Sequence, residues 1–182
     1  NESMSLFTFL GFRDIDPNPS IVEGTATMRR IVSKLEALPE DRARYLAAFA
    51  YILGRAAYAD SSVSAQETEK MLEIVQMLGQ LPKAQASLVV EITKNQVRLS
   101  EGTENYLVSR RFKEMSLLKQ RLELLECVFA VSAADESITV TEEGQARQIS
   151  KEIGLTHEQF LTARSGFVEH LEALKNFRKK RP

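Results

Sequence analysis

The chain has 182 residues, of which 43% are hydrophobic and 27% charged, a composition typical of a globular protein with one domain or two small ones. Its net charge of -1 and pI of about 6.2 argue against the strongly basic field of a nucleic-acid-binding protein. Its single cysteine excludes an internal disulfide framework and, with no secretory signal in view, predicts a cytoplasmic location.

The N-terminal part combines an apolar stretch with a turn-rich one. Residues 6–12 (LFTFLGF) are apolar, whereas residues 14–20 (DIDPNPS) are rich in Pro and Asp and predict a loop. The apolar stretch could pack on its own domain, dock on a protein partner or make peripheral contact with a membrane. We predict an N-terminal arm and loop over residues 1–19, a single helical domain over 20–177 and a basic tail over 178–182.

A core helix is predicted next. The Pro-Glu-Asp sequence at residues 39–41 combines a helix-starting proline with two carboxylates in the first turn, where the helix dipole favours negative charge. The helix is predicted to run to about Ala59 and contains the most apolar run of the chain, residues 46–59, which Arg55 interrupts. Because that run is too short to span a membrane, we interpret it as a buried core helix.

The rest of the chain has helical periodicity. Apolar residues recur at steps of three and four, for example Leu118, Leu122, Leu125 and Phe129. Pro82 begins a helix predicted to end near Leu99, and the polar residues 100–105 (SEGTEN) form the clearest break. A short helix follows, then a long one over about residues 116–134, then two more that reach about Phe177. No stretch alternates with the period of two typical of strands, so the predicted fold class is all-α, a compact bundle of about seven or eight helices.

One short motif occurs twice. The pattern Ala-Asp-x-x-(Val or Ile)-(Ser or Thr)-x-x-Glu occupies residues 59–67 and again residues 134–142, an offset of 75 residues (134 − 59 = 75). The same offset aligns further pairs, including Leu53 with Val128, Ile74 with Ile149 and Gly79 with Gly154. It predicts an internal two-fold duplication of a helix-turn-helix unit within one bundle.

Part of the motif has a structural explanation. Ser64 and Thr139 precede Glu67 and Glu142 by three residues, which is the spacing of a capping box. In such a box the hydroxyl accepts an amide N–H of the first turn, and the Glu side chain accepts the N–H of the capping residue. Capping alone would account for both glutamates, with Val63 and Ile138 packing the turns against the core.

The two aspartates need another explanation. Asp60 and Asp135 each lie at or just past the C-terminal end of a predicted helix, where free carbonyl groups make a negative charge unfavourable. Either each carboxylate accepts backbone amides of an Asx-type turn, or Asp60 and Asp135, with the help of Glu67 and Glu142, bind a divalent cation. Oxygen ligands would select Ca²⁺, Mg²⁺ or Mn²⁺ rather than zinc. The seven positions from Asp60 to Glu67 (67 − 60 = 7) are too few for an EF-hand loop.

These features resemble the tellurite-resistance TerB-like family. The two acidic turns, the helical periodicity and residues 149–160 (ISKEIGLTHEQF) carry the resemblance, which covers about residues 40–175. The resemblance implies a compact helical domain, a link to tellurite and other chemical stress, and divalent metal binding by acidic residues, here Asp60, Glu67, Asp135 and Glu142. The family usually has Gly after the Asp, where a left-handed turn costs Gly little, whereas this chain has Ser61 and Glu136.

No other pattern points to an enzyme. Cys127 lies among apolar residues and is predicted to be a small core side chain, and His157 is predicted to lie in the first turn of a helix. Residues 109–113 (SRRFK) are predicted to form a solvated helix face, so we expect no nucleic-acid partner. We predict a non-enzymatic stress-response module that binds a divalent cation and acts through protein partners. The alternative is a metal-free adaptor that uses residues 6–12 and the basic tail to contact a protein or a membrane surface.

Overall fold

The computed structural model contains eight α-helices, and no strand, in the part of the chain that it describes. That part comprises residues 19–57, 65–96, 105–133 and 138–179; within it, the side chains of residues 19–25, 28, 65–67, 96, 105 and 170–179 are not described. The predicted all-α class is confirmed. The helices are α1 Pro19–Glu36, α2 Glu40–Ala57, α3 Ala65–Met77, α4 Lys83–Gln96, α5 Asn105–Met115, α6 Leu118–Ser132, α7 Val140–Glu152 and α8 His157–Lys179.

Helix α2 is the centre of the bundle. Of its 18 residues 12 are buried, so it has apolar neighbours on most of its circumference. It packs against α1, α4, α5, α6 and α7. Small residues such as Ala47, Ala50 and Gly54 let these helices approach closely, because interaxial distance depends on the side chains at the contact. The prediction of a core helix is confirmed as far as Ala57, where the described segment ends.

Aromatic side chains fasten α5 and α8 to the core. The rings of Tyr45 in α2 and Phe112 in α5 stack with centroids 5.5 Å apart. Phe129 in α6 contacts Phe160 and Phe167 of α8, at centroid distances of 5.4 and 6.2 Å. Such pairs add roughly 0.5–1.5 kcal/mol to the stabilisation that comes from buried area.

Helices α2 and α4 run side by side in the same direction. Near their starts, Arg42 Nε donates to Gln85 Oε1 at 2.8 Å. Two turns further on, the buried Thr93 Oγ1 donates to the carbonyl oxygen of Ala50 at 3.1 Å. The prolines predicted to begin these helices, Pro39 and Pro82, each lie one residue before the first helical residue and accept the first helical hydrogen bond.

The start of α1 corrects one prediction. Residues 14–20 were predicted to form a loop, but Pro19 and Ser20 are the first two residues of α1. Proline fits the first turn of a helix, because its ring fixes φ near the helical value and an N–H there would have no intrahelical acceptor. Residues 14–18 lie outside the described residues.

The helix bounds follow the offset of the repeated motif. Helix α7 begins and ends 75 residues after α3 (140 − 65 = 75 and 152 − 77 = 75). Helix α6 likewise ends 75 residues after α2 (132 − 57 = 75). These bounds are those that a duplicated helix-turn-helix unit would have, and the duplication itself stays a prediction.

Helix α7 ends in a Schellman motif. The N–H of Leu155 donates to the carbonyl of Ser150 at 2.9 Å, and the N–H of Gly154 donates to that of Lys151 at 3.1 Å. Gly154 has φ of 79°, in the left-handed region that glycine adopts without steric cost. A Cβ atom at this position would lie 2.6 Å from Cε of Lys113 in α5. The glycine therefore both ends the helix and makes room for its neighbour.

Candidate functional site

Each predicted acidic turn joins a longer core helix to a shorter one. The first follows α2 and precedes α3, and the second follows α6 and precedes α7. Asp60 and Asp135 lie outside the described residues, and Glu67 lies in α3 without a described side chain. Glu142 is therefore the one predicted cation ligand whose geometry the structure gives.

Glu142 is the third residue of α7 and closes a capping box. Thr139 Oγ1 accepts the N–H of Glu142 at 3.2 Å, and Glu142 Oε2 accepts the N–H of Thr139 at 2.9 Å. Ile138, just before the cap, is partly buried against the core. The capping box predicted for the second turn is confirmed, and its counterpart at Ser64 lies outside the described residues.

The capping box does not require the charge of Glu142. At the start of α8, Thr156 and Gln159 form the same box: Gln159 Oε1 accepts the N–H of Thr156 at 2.9 Å, and Thr156 Oγ1 accepts the N–H of Gln159 at 3.1 Å. A neutral amide therefore caps a helix of this protein with the same geometry. The negative charge at Glu142 is available for a second role.

The donor chemistry of the acidic turns suits a hard cation. The box engages Oε2 of Glu142, which leaves Oε1 outside this pair of hydrogen bonds. Ca²⁺, Mg²⁺ and Mn²⁺ bind single carboxylate oxygens of this kind. Within the described ranges, no group of three or more His, Cys, Asp or Glu side chains could hold a metal ion. A complete site would thus need Asp60 and Asp135 as ligands beside the glutamates.

A buried ion pair, which the sequence did not predict, fixes the helix end that leads into the first turn. Arg55 Nη1 lies 2.7 Å from Glu152 Oε2, and their side chains are only 11% and 8% exposed. The same nitrogen donates to the buried hydroxyl of Ser109 at 3.3 Å. The pair thus joins the last turn of α2 to α5 and to the last residue of α7. Five residues separate Arg55 from Asp60 (60 − 55 = 5).

One half of this pair had a signal in the sequence. Arg55 interrupts an apolar run, and a charge buried in such a helix needs a partner. Its partner lies 97 residues away along the chain. No periodicity links the two positions, so only the packed structure identifies Glu152.

The remaining reactive side chains take structural positions. Cys127 is fully buried in α6, and burial raises the pKa of its thiol. Burial likewise raises the pKa of the Tyr45 hydroxyl, with the nearby Glu123 acting in the same direction. His157 is exposed at the start of α8, and Arg110, Arg111 and Lys113 are exposed on α5, as predicted. The predictions for these residues are confirmed.

The predicted membrane and tail contacts fall largely outside the described part of the chain. Residues 6–12 and 180–182 belong to that undescribed part. Among the helices that the structure describes, none combines the length and the apolar character needed to cross a lipid bilayer.

The chain matches the family model described as "Tellurite resistance protein TerB" over residues 45–165. The matched segment contains 121 of the 182 residues (165 − 45 + 1 = 121), and it includes both acidic turns. No curated protein and no solved structure matches the chain.

Proposed function

The chain belongs to the TerB family of tellurite-resistance proteins, and we propose from this membership that it is a non-enzymatic, cytoplasmic module of the response to tellurite and related chemical stress. The observation that carries the proposal is the extent of the match, which includes Asp60, Glu67, Asp135 and Glu142. The family match is the premise, and the chemistry of the two acidic turns supplies the mechanism.

The acidic turns bind a divalent cation in this proposal. Asp60 and Asp135 are the principal ligands, and Glu67 and Glu142 contribute further oxygens. Support comes from the all-oxygen donor set, which Ca²⁺, Mg²⁺ and Mn²⁺ prefer, and from the charge of Glu142, which its cap does not need.

Cation binding would favour one packing of the two helix-turn-helix units. Carboxylates gathered near one another repel, and a bound cation removes that repulsion. Any ligand that binds only the folded state also raises the free energy of unfolding, by about 2.7 kcal/mol at a concentration 100 times its dissociation constant. The packing that the cation stabilises is then the surface that a protein partner recognises.

Thermal unfolding in chelator and then with Ca²⁺, Mg²⁺ or Mn²⁺ tests the cation site. We expect the midpoint of the wild type to rise with one of these ions, and the rise to disappear in the double variant Asp60→Asn, Asp135→Asn. Asp41→Asn is the matched control, because Asp41 is an exposed carboxylate in the first turn of α2. Equal midpoints with and without every ion would refute the cation site and favour the metal-free adaptor.

Glu142→Gln separates the two roles of that residue. Gln preserves the capping box, as Gln159 does in α8, so the midpoint in chelator should stay close to that of the wild type. If Glu142 is also a ligand, the rise produced by the cation becomes smaller. An undiminished rise would leave Glu142 as a cap alone, with the aspartates as the cation ligands.

A further inference from the structure

Helices α3 and α6 border an apolar groove with an acidic wall. The cavity has a volume of about 520 Å³ and opens to solvent. Its apolar lining includes Met77 at the end of α3 and Leu118 and Leu122 in the first turns of α6, and its acidic wall includes Glu123 and Glu126. Met77 is 61% exposed and Leu118 is 44% exposed. We refer to this feature as the α3–α6 groove.

The apolar surface continues past the groove. Leu117, immediately before α6, is 71% exposed, and Met115 at the end of α5 is 37% exposed. Isolated exposed apolar side chains are ordinary, but a continuous patch that surrounds a concave surface is typical of an interaction site. The unbranched Met side chains suit such a site because they adapt to the shape of a partner.

The acidic wall favours a partner with positive charge. The Glu123 side chain is only 14% exposed, and its nearest cation in the groove, Lys119 Nζ, lies 3.9 Å from Oε1 on a side chain that is 83% exposed. Burial raises the pKa of the Glu123 carboxyl, and Lys119 opposes this effect. The groove thus has two carboxylates against one ammonium group, and one of the carboxylates is poorly solvated.

The C-terminal end of α8 has the complementary pattern. In residues 170–179 the apolar residues Leu171, Leu174 and Phe177 recur at steps of three, and the basic residues are Lys175, Arg178 and Lys179. This segment also lies beyond residue 165, where the family match ends. It is a basic amphipathic helix of the kind that binds an apolar groove with acidic walls.

The length of α8 directs this segment away from its own bundle. Helix α8 has 23 residues and is about 34 Å long, whereas α6 and α7, on which it packs, have 15 and 13 residues and are about 22 and 20 Å long. The last buried side chain described in α8 is Phe167, and 12 residues follow it to Lys179 (179 − 167 = 12), or about 18 Å of helix. A continuous helix of that length cannot turn back into a groove of the same chain.

We propose that residues 170–179 of α8 dock in the α3–α6 groove of a second copy of this chain. Leu171, Leu174 and Phe177 cover the Met77 and Leu118 side chains, and the basic residues lie beside the acidic wall. Two copies exchange their α8 ends reciprocally, which closes the assembly as a two-fold dimer. This dimer does not depend on the proposed cation site.

Sedimentation equilibrium of the full chain, over a range of protein concentrations, tests the exchange. We expect the wild type to be a dimer that weakens as salt is added, because the charged contacts are screened. Two variants should each raise the dissociation constant at least about tenfold: the tail reversal Lys175→Glu, Arg178→Glu, Lys179→Glu, and the groove reversal Glu123→Lys, Glu126→Lys. Joining both reversals in one chain should restore the dimer.

Two further variants keep the test independent of folding defects. Met77→Glu places a charge at a largely exposed position of the groove and should also raise the dissociation constant. Val140→Glu makes the same kind of change at a position that is 89% exposed in α7 and should leave it unchanged. A monomeric wild type up to millimolar concentration would overturn the proposal. It would equally be overturned by a dimer that ignores Met77→Glu and the tail reversal, or by an open series of larger species.

Discussion

At the scale of single residues, Arg55 is the side chain that most constrains the fold. Its guanidinium lies in the most buried helix, and 89% of its side-chain surface is removed from water (100 − 11 = 89). Taking both charges of the Arg55–Glu152 pair out of water costs several kcal/mol, which their attraction only partly offsets. The pair therefore specifies which helix ends meet, because an unpaired charge at either position would be more costly still.

Removing one member of the pair should be strongly destabilising. We expect Arg55→Met to lower the free energy of unfolding by about 3 kcal/mol, because Glu152 would then be buried without its partner. The double variant Arg55→Met, Glu152→Met should recover a large part of that loss. Urea denaturation measures both values. Arg110→Met, which breaks the exposed pair with Glu114, is the control and should cost less than about 1 kcal/mol. A double variant less stable than either single one would contradict this account.

Cys127 should be unreactive in the folded protein. Its side chain has no exposed surface, and burial raises the thiol pKa, so very little thiolate forms at neutral pH. A colorimetric thiol reagent should therefore report no accessible thiol in buffer and one per chain in denaturant, since the chain has one cysteine. Rapid labelling of the native protein would show that α6 opens readily or packs differently.

At the scale of elements, the ends of the helices carry the clearest local information. The Thr139–Glu142 box could be predicted from residue types and spacing, because both partners lie within one helical turn. Gly79 and Gly154 show the limit of the same reasoning, although the repeat offset aligns them. Gly154 has the positive φ that ends α7, whereas after α3 the residue with positive φ is Gln80. At Gly79 a Cβ atom would instead lie 2.5 Å from the carbonyl oxygen of Val75.

Two glycines of the α7 region should respond oppositely to the same substitution. Gly154→Ala forces a side chain into the left-handed region and against Lys113, so we expect a loss of about 1–2 kcal/mol of unfolding free energy. Gly144→Ala lies inside α7 with no atom within 4 Å of the added Cβ, and it should add about 0.5–1 kcal/mol. Chemical denaturation of the two variants and the wild type measures the difference. Changes of the same sign would mean that the Schellman end of α7 is wrongly described.

At the scale of the whole molecule, one hydrophobic core extends through both helix-turn-helix units. Helix α2 of the first unit packs on α6 and α7 of the second, so neither unit has a complete core without the other. The all-α class was predictable because helical periodicity is local. The Arg55–Glu152 pair and the α3–α6 groove were not, because each is created by side chains far apart in the sequence. The aspartate site stays a prediction for a related reason: convergence of Asp60 and Asp135 depends on tertiary packing.

A shared core predicts cooperative opening. Backbone amides of α2 and α6 should exchange hydrogen with solvent through the same global unfolding event, because the two helices are packed together and buried. Hydrogen exchange followed by mass spectrometry would give their opening free energies, which we expect to agree within about 1 kcal/mol. Amides of the short helix α5 provide a comparison and should exchange faster. A much lower opening free energy for either α2 or α6 would mean that the two units unfold separately.

The central position of α2 also has a consequence for the order of events during synthesis. Arg55 is made 97 residues before Glu152, its only carboxylate partner among the described ion pairs. At roughly 5–20 residues per second, ribosomes need about 5–20 s to add the residues between them. Throughout that interval the most apolar helix of the chain has left or is leaving the ribosome without the helices that will cover it. A chaperone that acts on nascent chains therefore has its longest opportunity for binding at α2, and that opportunity ends when α7 is complete.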